Sequence, residues 1–215
     1  KWLLVVYLAG YVVRRHAEVV DTWPGVLKPL AILGAASGLL LAQPDFGAVV
    51  VLMAAAFGVI FVSGVGLGRF LVVSLTGMAL GAAALFSQPY RIERLVAYLD
   101  PWQDQFNSGY QLTQALIAFG RGEWTGTGLG NSIQKLFYLP EAHTDFIFAI
   151  AAEEFGLLGA LGILLTFTVL VLTGLRIARQ ARDAGMTFGA CLAYGLTLLI
   201  ALQAYINMAV NTGLL

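Results

Sequence analysis

Six apolar segments constrain the fold of this chain more than any other feature of its sequence. They cover approximately residues 1–13, 29–43, 46–62, 70–87, 157–176 and 187–211 of the 215-residue chain. A helix needs about 20 apolar residues to cross the hydrocarbon core of a bilayer, and fewer when its ends reach the interface. The segments lack the alternation of polar and apolar residues that is typical of membrane β-strands. The sequence therefore predicts an all-α polytopic membrane protein with about six transmembrane helices in a single transmembrane domain, residues 1–215.

The amino-acid composition agrees with this fold class and argues against several kinds of partner. Hydrophobic residues make up 59% of the chain and charged residues only 11%, whereas a soluble domain is about 25% charged. The 12 basic and 12 acidic residues balance to a formal net charge of zero, so we expect no nucleic-acid partner. The single cysteine, Cys191, has no partner for an internal disulfide. Because the sequence begins inside one apolar segment and ends inside another, we expect a fragment of a longer membrane protein.

The basic residues of the short loops predict the orientation of the chain in the membrane. Lys and Arg accumulate in short cytoplasmic loops. Three loops on one side of the predicted bundle carry such residues: Arg14, Arg15, Lys28, Arg69, Arg176, Arg179 and Arg182. That side is therefore predicted to be cytoplasmic. The turn at 43–45 and the long segment 88–145 would then lie on the opposite, extracytoplasmic side.

The long external segment 88–145 contains patterns of ordered structure. Residues 89–100 (PYRIERLVAYLD) place Arg91 and Arg94 three positions apart, on one helical face, and predict an interfacial helix. Residues 110–122 repeat apolar side chains at helical spacing and end in glycines, which predicts a second amphipathic helix. A large external loop that contains two amphipathic helices is therefore expected.

A glycine-rich run, GTGLGNSIQK at residues 126–135, follows the second predicted helix. It does not fit the dinucleotide-binding fingerprint, because no strand precedes it. Two interpretations stay open, a tight polar turn and a nest of backbone N–H groups that approaches a phosphate. The run by itself favours the turn, and Asn131 and Lys135 nearby add a little weight to contact with a phosphate.

Polar residues in PEAHTDFIFAIAAEEFG, residues 140–156, stand at the entrance to an apolar helix. Asp145 has two interpretations: an N-cap, which stabilises a helix by about 0.5–2 kcal/mol, or a general base at the external mouth of the bundle. His143 lies two residues away, and three interpretations stay open for it: a proton carrier, a hydrogen-bond partner or a loop residue without a functional role. Glu153 and Glu154 follow at the predicted outer boundary, where acids either favour a helix start or line a polar cavity.

Further polar residues are predicted to lie near this region. Alternating spans bring four charged residues to the same side and a similar depth: Lys1, Asp45, Asp145 and Glu154. Charges at a membrane boundary are usually paired or functional, and Asp45 is either a helix cap or a site residue. Asn207 and Asn211 are one helical turn apart in the last span and are predicted to form hydrogen bonds across helices.

Taken together, these residues resemble the SEDS family of peptidoglycan polymerases, and in particular its cell-division branch. The resemblance rests on residues 109–156, on the motifs QPDFG, PYRIERL and DPW, and on Lys1, which is similar to the last residue of the family motif PSELxK. It covers essentially the whole chain. The family has ten transmembrane helices, so this chain is expected to form about the fourth to the ninth of a SEDS-type helical bundle.

The resemblance implies a glycosyltransferase that polymerises lipid II on the outer face of the bacterial inner membrane, at the division septum. The implied partners are a class B penicillin-binding protein, the transpeptidase that cross-links the new glycan, and other membrane proteins of the division complex. Asp145 belongs to the family's HTDF motif and is the implied catalytic residue. It would take the proton from the 4-hydroxyl of the acceptor GlcNAc, which attacks the donor MurNAc with inversion and releases undecaprenyl pyrophosphate.

Substrate binding and stabilisation of the leaving group need further polar residues. The candidates are Lys1, Asp45, Arg91, Arg94, Asn131, Lys135, His143, Thr144 and Glu154. A divalent cation, Mg²⁺ or Mn²⁺, that bridges phosphate and carboxylate is a further means of stabilisation, although the sequence does not identify its ligands.

Two other functions stay open at the level of sequence. One is a transporter that flips lipid II across the membrane, and the other is a non-catalytic scaffold of the division complex. The informative residues crowd on one predicted face, which disfavours transport, because a carrier needs sites that are reachable from both sides.

Overall fold

The computed structural model of the chain describes residues 1–43, 45–88, 92, 96, 98 and 100–214. These residues form α-helices, one short π-helix (Gln134–Tyr138) and connecting turns, with no β-strand among them. The α-helices are α1 (Trp2–Arg14), α2 (His16–Asp21), α3 (Trp23–Ala42), α4 (Phe46–Val62), α5 (Leu67–Phe86), α6 (Tyr110–Gly122), α7 (Ile147–Asp183) and α8 (Thr187–Asn211). The prediction of an all-α fold is confirmed for this described part of the chain.

The predicted spans correspond to six of these helices. Four of them, α3, α5, α7 and α8, are long and apolar enough to cross a membrane, while α1 and α4 are apolar but shorter, at 13 and 17 residues. The predicted boundaries agree within a few residues except at the start of α3 and at both ends of α7. The chain is therefore a multi-pass membrane protein.

A helix N-cap determines where α3 begins, and a hydropathy pattern does not reveal such a cap. Thr22 Oγ1 accepts a hydrogen bond from the N–H of Gly25 at 3.2 Å. Pro24 occupies the first turn, where the N–H that proline lacks would have no helical partner. The helix therefore begins at Trp23 and not near residue 29.

The helices leave many apolar side chains uncovered, as expected for surfaces that contact lipid or further helices. In α5 only Val73 is buried, while Leu75 and Met78 are 62% and 70% exposed. A soluble protein rarely exposes so large an apolar surface. Hydrocarbon chains solvate the same surface without cost, so the exposure fits a helix in a bilayer.

The described chain forms two compact units, the first of which contains residues 1–82 and 169–203. Its core is a cluster of buried aliphatic side chains from α1, α3 and α4, among them Leu8, Val12, Val26, Leu33, Leu52 and Ile60. Gly195 of α8 lies so close to this core that an added Cβ would come within 2.7 Å of Val5 and 2.9 Å of Val59. Small residues of this kind let membrane helices approach closely.

The second unit contains residues 83–168 and 204–215. Its core packs α6 against the turns before α7 through small and aromatic side chains: Ala115, Ala118, Leu139, Ala142, Phe146 and Ala149. The amphipathic helix predicted at 110–122 is confirmed as α6. In the turn before α6, the Ser108 hydroxyl and the Asn107 amide donate to the Asp104 carboxylate at 2.7 and 2.8 Å, and they hold the pKa of that carboxyl below its ordinary value.

The interfacial helix predicted over residues 89–100 falls largely outside the described residues. Ile92, Val96 and Tyr98 are described and helical. Arg91 and Arg94 lie outside the described residues, so their assignment as substrate-binding residues stays a prediction.

Candidate functional site

The helix that follows Asp145 is broken at Gly156. This residue has φ +68° and ψ −168°, which an α-helix cannot include, so α7 consists of a first part (147–155) and a second part (157–183). A break leaves N–H and C=O groups without their helical partners. Each such group costs several kcal/mol if it faces hydrocarbon. Something else in the molecule must therefore satisfy them.

Residues 123–128, which we call the inserted loop, supply the missing partners. Two loop N–H groups donate to carbonyls at the end of the first part: Thr127 to Glu153 at 2.9 Å and Gly128 to Glu154 at 3.1 Å. Two loop carbonyls accept from N–H groups at the start of the second part: Glu123 from Leu157 at 2.9 Å and Trp124 from Leu158 at 3.2 Å. The inserted loop thus caps both ends of the broken helix.

Glycine is required where the inserted loop meets α7. A Cβ on Gly126 would collide with the carbonyl oxygen of Glu154, and Gly126 has a φ of +82°. A Cβ on Gly122 would collide with the carbonyl oxygen of Ala152 in the same way. The N–H groups at 126–128 already donate to protein carbonyls, so the structure favours the tight-turn interpretation of this run over a phosphate nest.

Glu153 is fully buried, at 0% exposure, and organises the residues that follow the inserted loop. Its carboxylate accepts hydrogen bonds from the Ser132 hydroxyl at 2.5 Å and from the N–H groups of Ile133 and Gln134 at 3.1 and 3.3 Å. Arg121 Nη1 lies 3.6 Å from Glu153 Oε1. A buried carboxylate is tolerated only when it is bonded and paired in this way. Glu153 is therefore a structural anchor and not a residue that faces a cavity.

Glu154 and Lys135, both candidate substrate-binding residues, are brought together as an ion pair. Lys135 Nζ lies 2.6 Å from Glu154 Oε1, with the two side chains 26% and 10% exposed. Lys135 is therefore available to a pyrophosphate only if it shares its charge with Glu154 or leaves it. Asn131, in the adjacent turn, is exposed and donates to the carbonyl oxygen of Thr127 at 3.1 Å.

Asp145 is exposed in the turn just before α7, and its backbone is held by two asparagines of α8. The side-chain amides of Asn207 and Asn211 both donate to the Asp145 carbonyl oxygen at 2.8 Å. The prediction that these asparagines form hydrogen bonds across helices is confirmed. The side-chain carboxylate makes no hydrogen bond or ion pair with any residue that the structure describes.

Asn211 also takes the capping role that the sequence allowed for Asp145. Its side-chain oxygen accepts a hydrogen bond from the N–H of Ala149, in the first turn of α7, at 3.1 Å. Asn211 is fully buried, so this contact is shielded from water. The interpretation of Asp145 as an N-cap is therefore wrong, because an amide from another helix occupies that position. The Asp145 carboxylate is left free for other contacts.

The neighbours of Asp145 in the HTDF motif are also exposed. Thr144 donates its hydroxyl hydrogen to the Glu141 carboxylate at 2.6 Å, and His143 is exposed in the same turn. Among the residues that the structure describes, no group of three or more His, Cys, Asp or Glu side chains could hold a metal ion. The residues present do not by themselves form a cage for Mg²⁺ or Mn²⁺.

Two candidate residues, Lys1 and Asp45, belong to the first unit. Asp45 Oδ1 accepts a hydrogen bond from the N–H of Ala48 at 2.9 Å, so Asp45 caps α4. Lys1 is exposed, and its carbonyl oxygen accepts from the N–H groups of Leu4 and Val5 at the start of α1. Their roles in substrate binding stay predictions.

Sequence reasoning missed Arg121 and Ser132, the two side chains that hold Glu153. No local pattern reveals these contacts, because Glu153 is 32 positions from Arg121 and 21 positions from Ser132 in the sequence. The available indication was Glu153 itself, an acid in an apolar helix, which requires a partner if it is buried.

Comparison with known proteins supports the resemblance found in the sequence. The family model described as cell cycle protein, which covers FtsW, RodA and SpoVE, matches residues 1–215. A protein of Marinobacter nauticus named probable peptidoglycan glycosyltransferase FtsW is 67% identical over 215 residues, which cover 100% of this chain and 54% of the relative. A protein of the same name from Hahella chejuensis is 59% identical, with the same coverage of both chains. The chain thus spans about half the length of these curated relatives.

A solved structure gives the corresponding evidence for the fold. It is described as "Structural coordination of polymerization and crosslinking by a peptidoglycan synthase complex". One of its chains matches with a TM-score of 0.71 and 26% identity, over 99% of this chain and 58% of that chain. Since the family model covers every residue, the chain belongs to the FtsW/RodA/SpoVE family of cell cycle proteins.

Proposed function

We propose that the protein containing this chain is a peptidoglycan glycosyltransferase that polymerises lipid II, with Asp145 as its general base. The observation that carries the proposal is the state of Asp145, whose backbone is fixed by Asn207 and Asn211 while its carboxylate is exposed and free of partners among the described residues. A general base needs both properties, a fixed position and an accessible oxygen. The names of the relatives supply the reaction class.

The proposed reaction is a displacement at the anomeric carbon of the donor MurNAc. The 4-hydroxyl of the acceptor GlcNAc transfers its proton to Asp145, and its oxygen forms the new bond to that carbon. The bond from the carbon to the pyrophosphate oxygen breaks, with inversion, and undecaprenyl pyrophosphate leaves. General-base catalysis of this kind contributes about 10²–10⁴-fold in rate.

The leaving pyrophosphate needs cationic or N–H partners. Lys135 Nζ is paired with Glu154 at 2.6 Å. Lys135 therefore fits this role only if it shares its charge between Glu154 and the pyrophosphate or leaves Glu154. Arg91, Arg94, Lys1 and Asn131 remain candidates. Since the described residues form no cage for a cation, no step is assigned to one.

The membrane setting suits a substrate with a polyprenyl tail. The apolar helices keep the tail in the bilayer, and the predicted topology places Asp145 on the extracytoplasmic side, where the sugars react. We place the protein in the inner membrane at the division septum, with a class B penicillin-binding protein and other division proteins as partners. The match to a chain of a peptidoglycan synthase complex supports this assignment of partners.

The test uses the full-length protein with its penicillin-binding partner and purified lipid II, with glycan strands separated by electrophoresis. Asp145→Asn keeps the size of the side chain and removes the base, so we expect polymerisation to fall about 10²–10⁴-fold. The matched control is Asp183→Asn, the same change at an exposed residue at the other end of α7.

Three outcomes would contradict the proposal in different ways. Polymerisation retained by Asp145→Asn would exclude Asp145 as the base. Flipping of lipid II by the unmodified protein, without any polymer, would favour a transporter. No polymerisation or flipping, together with intact assembly of the partner complex, would favour a scaffold.

A further inference from the structure

A cavity of about 560 Å³ lies in the first unit, where the ends of four helices meet. Its polar lining residues are His16, Ser63, Arg179, Arg182, Thr187, Cys191 and Tyr194, and its remaining walls are aliphatic side chains from α1, α4, α7 and α8. We call it the arginine pocket. Asp145, Asn207 and Asn211 are not among its lining residues.

The arginine pocket lies at the predicted cytoplasmic ends of these helices. α1 ends at Arg14, α4 at Val62 and α7 at Asp183, and α8 begins at Thr187. The loops that follow α1 and α7 carry the basic residues that predict a cytoplasmic location. The pocket is therefore expected at the depth of the phospholipid headgroups of the cytoplasmic leaflet.

The charge of the arginine pocket is positive and largely unpaired. Arg179 and Arg182 are three positions apart on α7, so they share one helical face. No carboxylate is among the described lining residues, and Arg179 has no ion pair within the described part of the chain. Arg182 pairs only with Asp183, at 3.8 Å and with both side chains more than half exposed. Such a pair contributes little and leaves the guanidinium available.

The chemistry of the lining favours a phosphate ester attached to a hydrocarbon chain. Guanidinium groups present N–H donors in a fork that matches phosphate oxygens. Thr187 and Tyr194, which carry hydroxyl groups, line the same cavity together with the apolar residues Val12, Val62 and Leu175. Basic pockets between membrane helices on the cytoplasmic side bind the headgroups of anionic lipids.

We propose that the arginine pocket binds the phosphate of an anionic phospholipid from the cytoplasmic leaflet, with Arg179 and Arg182 as its principal ligands. An anionic lipid matches the positive lining, the headgroup depth and the aliphatic wall together. A soluble phosphate would use only the first of these features.

The proposal is tested on the full-length protein in nanodiscs, with cardiolipin or phosphatidylglycerol added to phosphatidylcholine, and bound lipid counted by native mass spectrometry. We expect the double variant Arg179→Gln/Arg182→Gln to weaken binding of the anionic lipid by about tenfold or more, since each basic residue near the surface contributes about 1 kcal/mol. The matched control is Arg176→Gln, an exposed arginine of the same helix that does not line the pocket. Its effect should not exceed the roughly fivefold loss that corresponds to one basic residue near the surface.

Cys191 provides a second readout that is independent of activity, because it lines the pocket and is partly exposed. Anionic lipid should slow the alkylation of Cys191, followed by mass spectrometry of its peptide, whereas phosphatidylcholine alone or inorganic phosphate should not. An equal loss of binding in Arg176→Gln and in the double variant would reduce the effect to general surface charge and overturn the proposal. Protection by inorganic phosphate would also overturn it. So would a Cys191 that resists alkylation without anionic lipid, because another segment of the full protein would then cover the pocket.

Discussion

The carboxylates of Asp45 and Asp145 have different roles although each stands just before an apolar helix. Asp45 Oδ1 bonds the N–H of Ala48 and caps its own helix. At Asp145 the comparable bond, to the N–H of Ala149, is made by Asn211 from α8. The local sequence is similar in the two cases, so the difference comes from a residue 66 positions away. At the residue scale, a distant amide is what leaves Asp145 available.

Asn211→Ala should destabilise the protein and displace Asp145. The change removes two buried hydrogen bonds, one from the N–H of Ala149 to Asn211 and one from Asn211 to the Asp145 carbonyl, while the N–H of Ala149 keeps its bond to the Phe146 carbonyl at 3.1 Å. Each lost hydrogen bond costs about 0.5–1.5 kcal/mol, a change that thermal unfolding of the full-length protein should detect. The matched variant Asn207→Ala removes one donor and leaves the Asn211 bonds, so its loss should be smaller. Equal losses in the two variants would contradict the capping role of Asn211.

Glu153→Leu tests the buried anchor. The substitution leaves Arg121 and three hydrogen-bond donors without their partner. Breaking a buried ion pair from one side costs about 3–5 kcal/mol, and the unfolding temperature should fall accordingly. As a control, Glu18→Leu breaks the exposed pair with Arg15 and should cost at most about 1 kcal/mol. A similar fall in both variants would show that the burial of Glu153 is unimportant.

At the scale of elements, the central feature is the replacement of regular helical hydrogen bonds by bonds to the inserted loop. α7 tolerates the break at Gly156 because loop groups satisfy its carbonyls and its N–H groups. The loop in turn depends on glycines that admit the helix backbone at close range. The two elements are therefore stable only together.

Gly156→Ala should destabilise this junction. An alanine at φ +68° is strained by about 1–3 kcal/mol, and its Cβ would lie 2.5 Å from the Trp124 carbonyl. The matched control is Gly162→Ala in the same helix, where a Cβ has open space. There we expect a neutral effect or a gain of up to about 1 kcal/mol, because alanine favours helix. Thermal unfolding of both variants decides the matter, and a tolerated Gly156→Ala would show that the break is not required.

Local patterns predicted most of the elements, because hydropathy and helical spacing act over short distances. The boundaries of α4 and α8 agree closely with the predicted spans, and α6 was found from its apolar spacing. The first part of α7 was not predicted as part of the span, because its acids lower the hydropathy before Gly156. The insertion of residues 123–128 was also missed, since backbone bonds between distant segments leave no periodic pattern.

At the scale of the whole molecule, the family was accessible from the sequence, whereas the environment of each candidate residue was not. Motifs such as HTDF identify the family, and the family model confirms it over all 215 residues. Burial and pairing depend on tertiary contacts, which is why Glu153 is an anchor and Lys135 is tied to Glu154. The chain covers 54% of the Marinobacter nauticus relative, so the candidate residues named above come from about half the length of such a protein.

The joint between the inserted loop and α7 has a mechanical consequence. If the loop withdrew, two carbonyls and two N–H groups of α7 would lose their partners at the membrane boundary, where few water molecules are available to replace them. We therefore expect the inserted loop and α7 to move as one rigid element, so that a displacement of the loop also displaces the helix that follows Asp145.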